Sequence, residues 1–108
     1  MRQTGYNQVS PREPRMITIH LYATFRMIAG KKTFELDAPG DCTVQQVIRR
    51  FLAEVPALSS HWVNGEGEVH AHVHAFVNGH DVTTLPEVWQ TRLKSGDVLD
   101  FFPPVAGG

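Results

Sequence analysis

Thr43-Val44-Gln45-Gln46-Val47-Ile48-Arg49-Arg50-Phe51-Leu52-Ala53-Glu54-Val55-Pro56 is the stretch that dictates how the rest of the chain is arranged. A threonine followed three residues later by glutamine is a capping box, in which hydroxyl and amide side chains satisfy each other's backbone N–H groups. Val44, Val47, Ile48, Phe51, Leu52 and Val55 recur at the spacing of one helical face, with Gln45, Arg49, Arg50 and Glu54 opposite. Pro56 lacks the N–H that would continue the ladder, so the helix ends there. A single amphipathic helix cannot shield its own apolar stripe, so it requires a sheet to lie on.

The flanking sequence supplies that sheet. From Met16, Ile17, Ile19, Leu21 and Ala23 alternate with Thr18, His20 and Tyr22, the pattern of a half-buried first strand. Phe25-Arg26-Met27-Ile28-Ala29-Gly30 reads as a compact link ending on a turn glycine, and residues 33–37 resume alternation with Phe34 and Leu36 inward. The two strands are expected to form a hairpin that Ala38-Pro39-Gly40-Asp41 breaks. Beyond the helix, residues 56–67 read as a long irregular stretch with Trp62 packed inward and Asn64-Gly65-Glu66-Gly67 as a turn. Val69, Ala71, Val73, Ala75 and Val77 alternate with His70, His72, His74 and Phe76, predicting a strand over 69–77. Asn78-Gly79 is a hairpin turn signal. A short strand near Asp81-Val82 and one or two helical turns around Leu85, Val88 and Trp89 follow. Lys94-Ser95-Gly96-Asp97 then turns the chain into a last strand, Val98 to Phe102. The order ββα, β, short element, β predicts an α+β fold: a single-domain, ubiquitin-like β-grasp in which a mixed sheet curls over one main helix.

The domain organisation follows. Residues 1–15 are polar, proline-bearing and aperiodic, predicting a disordered extension, with Met16 as a candidate start; 16–102 form the β-grasp domain, and 103–108 a flexible tail. One hundred and eight residues support one modest core. A net charge of −1 offers no basic footprint for nucleic acid or a membrane surface. No apolar run approaches the roughly 20 residues that span a bilayer. The lone Cys42 has no partner for an internal disulfide, which points to a reducing, cytoplasmic setting.

The last strand runs directly into Pro103-Pro104-Val105-Ala106-Gly107-Gly108. Proline fixes φ and donates no N–H, favouring a stiff polyproline II start. Glycine has no Cβ, so a diglycine end enters a channel too narrow for other residues. Extended, the six residues reach roughly 20 Å from the body. The plain alternative is a frayed terminus; the position of Gly-Gly behind Pro-Pro favours a working arm whose reactive group is the Gly108 carboxylate.

These motifs carry a family resemblance. Leu21-Tyr22-Ala23-Thr24-Phe25-Arg26-Met27-Ile28-Ala29-Gly30 resembles the first-strand motif of the MoaD/ThiS-type ubiquitin-like sulfur carriers. The Thr43-Val44 helix start, Val77-Asn78-Gly79, Leu93 with Gly96-Asp97, and the tail from Phe102 also fit, with Ala106 where a serine is often seen. The resemblance implies that a ubiquitin-activating-type (MoeB/ThiF-like) adenylyltransferase uses ATP to adenylate Gly108. A sulfur from a persulfide protein then displaces AMP to leave a thiocarboxylate. It implies a MoaE-like large synthase subunit as acceptor, in the synthesis of molybdopterin. The chain itself has no phosphate-binding loop: Gly30-Lys31-Lys32 and Gly65-Glu66-Gly67 lack the required spacing. The expectation is therefore a carrier with no cofactor of its own. Gly107 and Gly108 would enter the active centre. Phe76, Phe101, Phe102, Pro103, Pro104, Val105, Ala106 and Arg26 would meet partners. The long stretch before His74, with His72-Val73-His74-Ala75-Phe76-Val77-Asn78-Gly79-His80-Asp81-Val82, is similar to carriers that serve cysteine synthesis. That leaves open a carrier for cysteine, thiamin or tRNA thiolation, and equally a protein modifier joined through Gly108 to lysines.

Two other constellations have alternatives. His70, His72 and His74 on one strand face, with His61 or His80, would suit zinc, against the simpler reading of solvent-facing polar positions, which is the one taken here: no metal. Cys42 beside the helix start is either an activated thiol or an inert buried one, and the inert reading is preferred. Strand alternation puts Phe101 and Phe102 on opposite faces, so at least one points outward. Arg26 pairs either with a partner or with a local acid.

Overall fold

The computed structural model describes residues 16–38 and 41–104. The first fifteen residues and the last four of the tail, with the expectations placed on them, lie outside the described residues. In chain order the elements are β1 (Met16–Leu21), α1 (Ala23–Ala29), β2 (Thr33–Asp37), α2 (Val44–Glu54), α3 (Ser59–Trp62), β3 (His74–Val77), β4 (His80–Asp81) and β5 (Val98–Phe102). Single 3₁₀ turns at Pro56–Leu58, Val82–Thr84 and Val88–Gln90 complete the chain. The strands form one sheet in the order β2-β1-β5-β3-β4. β1 and β5 are parallel, and the other pairs antiparallel. This mixed sheet folded over α2 is the ubiquitin-like β-grasp.

The helix forms as its sequence requires. Thr43 Oγ1 accepts from the Gln46 amide at 3.1 Å, and Gln46 Oε1 accepts from the Thr43 amide at 2.9 Å. Val44, Val47, Ile48, Phe51 and Leu52 are buried. They meet Ile17, Ile19 and Leu21 of β1, Leu36 of β2, Ala75 and Val77 of β3, and Leu99 and Phe101 of β5, all buried in the same core. Each fully buried aliphatic or phenyl side chain contributes about 1.5–3 kcal/mol relative to exposure. Trp62 fills the end of this core, its ring 5.4 Å from Phe25, 5.6 Å from Phe51 and 4.3 Å from Phe101.

Three sequence expectations are corrected. Ala23 is not a strand residue, and the compact link expected over 25–30 is part of a helix: the chain turns at Ala23, with φ 54, into α1. Gly30, with φ 88, ends that helix by donating its N–H to the Arg26 carbonyl at 2.9 Å. The stretch after Pro56 is a 3₁₀ turn followed by α3 rather than irregular chain. The strand expected over 69–77 is β3 alone, from His74 to Val77. Residues 69–73 spend their backbone groups elsewhere: Val69 bridges to Val63, His70 N–H donates to the Trp62 carbonyl at 2.8 Å, and Val73 N–H to the His70 carbonyl at 3.1 Å. The apolar alternation persists because a loop folded over the core also buries Val73.

Candidate functional site

The site is the root of the C-terminal arm and the sheet face beside it. One face of the sheet covers α2; the other is open. In the β1–β5 register His20 lies opposite Asp100 and Leu21 opposite Phe101, which brings Tyr22 alongside Phe102. The β3–β5 register puts His74 opposite Phe102 and Phe76 opposite Asp100. Period-two alternation turns all six of Tyr22, Phe102, His74, His20, Asp100 and Phe76 outward in two adjacent rows. Tyr22, Phe76 and Phe102 remain half-buried because they cover one another.

The aromatic geometry is specific. The Tyr22 and Phe102 rings lie flat on each other, with centroids 4.2 Å apart and planes 8° from parallel. Phe76 meets the other side of Phe102 edge-on at 5.5 Å and 82°. Lys32 Nζ sits 4.9 Å from the Tyr22 ring centre, a cation–π distance. The Tyr22 hydroxyl donates to Asp100 Oδ1 at 3.1 Å, and His20 Nδ1 lies 3.2 Å from the same oxygen. Burial, then the hydrogen bond to Asp100, then its negative charge push the Tyr22 hydroxyl above the ordinary value of 10.0. An open, apolar recess of about 330 Å³ is lined by His74, Phe76, Phe102 and Pro103. Pro103, which has no N–H, ends the ladder, and Pro104 is exposed.

The structure thus brings Phe76, Phe102 and Pro103 of the expected partner-facing residues into one patch, with Pro104 next along the chain. Phe101 is a correction: it is 0% exposed and packs on Trp62, so it belongs to the core and not to a docking face. Arg26 is exposed on α1, which starts directly after Tyr22; among the described residues no carboxylate lies within salt-bridge distance of it. Val105, Ala106, Gly107 and Gly108 lie outside the described residues. The imidazoles do not share a strand face, because β3 begins only at His74. His70 and His72 instead stack at 4.9 Å, and His72 Nε2 lies 3.2 Å from the His61 carbonyl. Among the described residues no three His, Cys, Asp or Glu side chains converge on a metal-sized site. Cys42 is buried.

The sequence does not mark Tyr22, His20 or Asp100 as site residues, and it offers His74 only as a zinc-ligand candidate that the simpler reading sets aside. Alternation alone turns His20 outward on β1, with Tyr22 one residue past its end on the same side, and Asp100 and Phe102 outward on β5. The missing information was the parallel β1–β5 register, a contact about 80 residues apart in sequence that local periodicity does not encode.

A β-grasp domain with an aromatic open face at the root of a Pro-Pro arm has the architecture of a ubiquitin-like protein. The chain belongs to the ThiS family, which it matches over residues 19–108, and so to the ubiquitin-like sulfur carriers and modifiers. It is 37% identical over 92 residues to small archaeal modifier protein 3 of Haloferax volcanii, covering 85% of this chain and 98% of that one. The crystal structure of SAMP1 from Haloferax volcanii superposes with a TM-score of 0.77 at 30% identity, over 86% of this chain and 99% of that chain. A Pyrococcus furiosus structure assigned as molybdopterin converting factor, subunit 1, superposes with a TM-score of 0.67 at 32% identity, over 83% of this chain and 98% of that chain. No helix among the described residues is long and apolar enough to cross a membrane.

Proposed function

We propose that this chain is a sulfur carrier whose Gly108 carboxylate is the working group. The observation that carries the reading is β5 itself. It emerges from the core at Phe101, presents Phe102 and Pro103 in an apolar patch, and delivers the chain through Pro103-Pro104 toward Gly107-Gly108. A carboxylate is a poor electrophile until one oxygen becomes a leaving group. In the proposed sequence a separate adenylyltransferase transfers AMP from ATP to the Gly108 carboxylate and releases pyrophosphate. A persulfide sulfur of a donor protein then attacks the carbonyl carbon, and AMP leaves with the C–O bond electrons. A thiol cleaves the resulting sulfur–sulfur bond, leaving a Gly108 thiocarboxylate and a disulfide. The acceptor in this reading is a pterin precursor held by a large synthase subunit, as the likeness to a molybdopterin converting factor subunit suggests.

A second reading is favoured by the likeness to small archaeal modifier protein 3. There the same activated carboxylate is captured by a lysine amine of another protein, forming an isopeptide bond. The intact mass of the protein from its own host separates the two. A species heavier by exchange of one oxygen for sulfur, mapped to Gly108, supports the carrier. Gly108 recovered only in lysine conjugates supports the modifier, and a chain extending unprocessed beyond Gly108 overturns both.

A further inference from the structure

The Tyr22–Phe102 pair has a geometry that hydrophobic burial does not require. Two half-exposed rings on neighbouring strands ordinarily sample several rotamers. Here the Tyr22 ring is fixed at both ends. Its backbone N–H donates to the Phe101 carbonyl at 3.3 Å, and its hydroxyl donates to Asp100 Oδ1 at 3.1 Å. The ring between these two points lies flat against Phe102, and Phe76 closes the opposite side. Both anchors are on β5, so Tyr22 spans the last three residues of the strand that becomes the arm. His20 Nδ1, at 3.2 Å from the same Asp100 oxygen, holds the carboxylate in place from β1.

Phe102 is the last strand residue, and the next two are prolines. Each proline fixes its φ near −65°, so a direction set at Phe102 is passed on with little loss across about 6 Å of polyproline II chain. We propose that Tyr22, anchored by Asp100 and stacked on Phe102, is a positioning residue that sets the direction in which Pro103-Pro104 carry the C-terminal arm to the enzyme that activates it. This rests on the activation reading above. It concerns a residue that does not touch the reacting carbonyl and acts only through Phe102. The advantage is entropic: a chain whose root at Pro103-Pro104 is already oriented loses less freedom on docking than one whose root is not.

Two measurements test it. In weakly aligned full-length protein, one-bond Cα–Hα dipolar couplings of Pro103 and Pro104 report the orientational order of the arm's root. They are expected to fall about twofold in Tyr22→Val relative to the couplings of β1 and β5, and by a smaller amount in Tyr22→Phe, which keeps the stack but loses the hydroxyl bond to Asp100. Asp100→Ala removes the anchor without touching either ring and is expected to give an intermediate loss; it also serves if Tyr22→Val folds poorly. In ATP–pyrophosphate exchange with the host's adenylyltransferase, the KM for Tyr22→Val is expected to rise about three- to tenfold with kcat unchanged, because only the competent fraction of arms falls. A merely structural role would move neither the couplings nor the KM of the folded variant. Unchanged proline couplings, or reduced couplings with an unchanged KM, overturn the inference. Absence of exchange with the wild-type chain overturns the activation reading instead, and the couplings still decide separately whether Tyr22 orients the arm's root.

Discussion

Asn78 Nδ2 donates to Asp97 Oδ1 at 3.0 Å and thereby ties the β3–β4 turn to the turn that launches β5. The other Asp97 oxygen accepts from the Lys94 amide at 2.8 Å. Asn78 Oδ1 accepts from the Val98 amide at 2.8 Å, and Asn78 N–H donates to the Val98 carbonyl at 2.8 Å. Asp97 is the one buried charged residue among those described. Its burial is tolerated because both oxygens are hydrogen-bonded. Asp97→Ala leaves two donors without partners and is expected to cost about 1–3 kcal/mol, read from the midpoint of urea unfolding. An unchanged midpoint would show that water replaces the carboxylate at no cost.

Trp62 supplies a second stability test. Its ring is buried among Phe25, Phe51 and Phe101, yet its Nε1 has no hydrogen-bond partner among the described residues. Trp62→Ala is expected to destabilise by about 3–5 kcal/mol through the cavity it leaves. Trp62→Phe removes the unpaired N–H together with part of the ring, and these terms oppose each other. It is expected to cost less than half as much as the alanine variant. Equal losses in the two variants would mean that the phenyl ring does not refill the space the indole leaves.

How much of this was legible in sequence depends on how local the determinants are. The start of α2 and the bounds of β2 and β5 are legible because a capping box and turn residues are encoded within a few residues, whereas α2 ends at Glu54, one residue before the Val55 that the apolar spacing includes. Asn78-Gly79 was read as a turn for the same reason; its φ values of 50 and 86 are those of a tight hairpin. α1 was missed because seven residues contain barely two turns, too few to show a helical period, and because its start depends on Ala23 at φ 54. The strand over 69–77 was overextended because the apolar positions in 69–73 are covered by tertiary folding of a loop, which imitates a period of two. Phe101 and Phe102 show the limit at the site. Alternation separated them, but only the sheet's position over α2 decides which of the two is core.

Ionisation of Tyr22 gives a test of the open-face cluster. The hydroxyl is held above 10.0, first by burial, then by its hydrogen bond to Asp100 and by that carboxylate's charge. A group whose folded pKa is raised stabilises the fold fully below its unfolded value, and that contribution is lost as pH rises through the folded value. Stability should therefore decline with rising pH above about 10, where the unfolded chain ionises first. Difference spectra of wild type against Tyr22→Phe isolate this titration from Tyr6. Asp100→Asn is expected to lower the Tyr22 value without restoring it fully, since burial, the largest cause, remains. A value unchanged in Asp100→Asn would show that the hydroxyl does not bond to Asp100 in solution.

Asp81 provides the acid-side counterpart away from the arm. Thr83 donates to Asp81 Oδ1 from its hydroxyl at 2.7 Å and from its amide at 2.9 Å. The hydroxyl bond first and the amide bond next hold the carboxyl below 3.8; desolvation opposes them by less, and the nearby His74 adds the smallest lowering. A depressed carboxyl stabilises the fold above its unfolded value and loses that contribution as pH falls through the folded one, here below about 4. Thr83→Ala is expected to raise the Asp81 value by removing the larger bond while keeping the amide. Carbon-detected NMR titration of the carboxyl reads the change. No upward shift would mean that the 3₁₀ turn over Val82–Thr84, and not the hydroxyl, sets the charge state.

The terminal glycines separate stability from function. Phe101 is buried in the core and Pro104 is exposed, and the carrier reading requires Gly107-Gly108 to add nothing to the stability of the fold. The deletion is expected to leave the melting temperature unchanged to within about 2 °C while abolishing adenylation. A drop of many degrees would make the arm a structural element and remove the basis of the carrier reading. Gly107→Ala discriminates more finely. If the arm enters a narrow channel, an added Cβ is expected to slow ATP–pyrophosphate exchange at saturating carrier. Binding of the folded domain to the adenylyltransferase should change little. Equal exchange rates for alanine and glycine at 107 would show that the channel admits a methyl group, leaving the Tyr22-directed root of the arm, rather than its tip, as the part that limits entry.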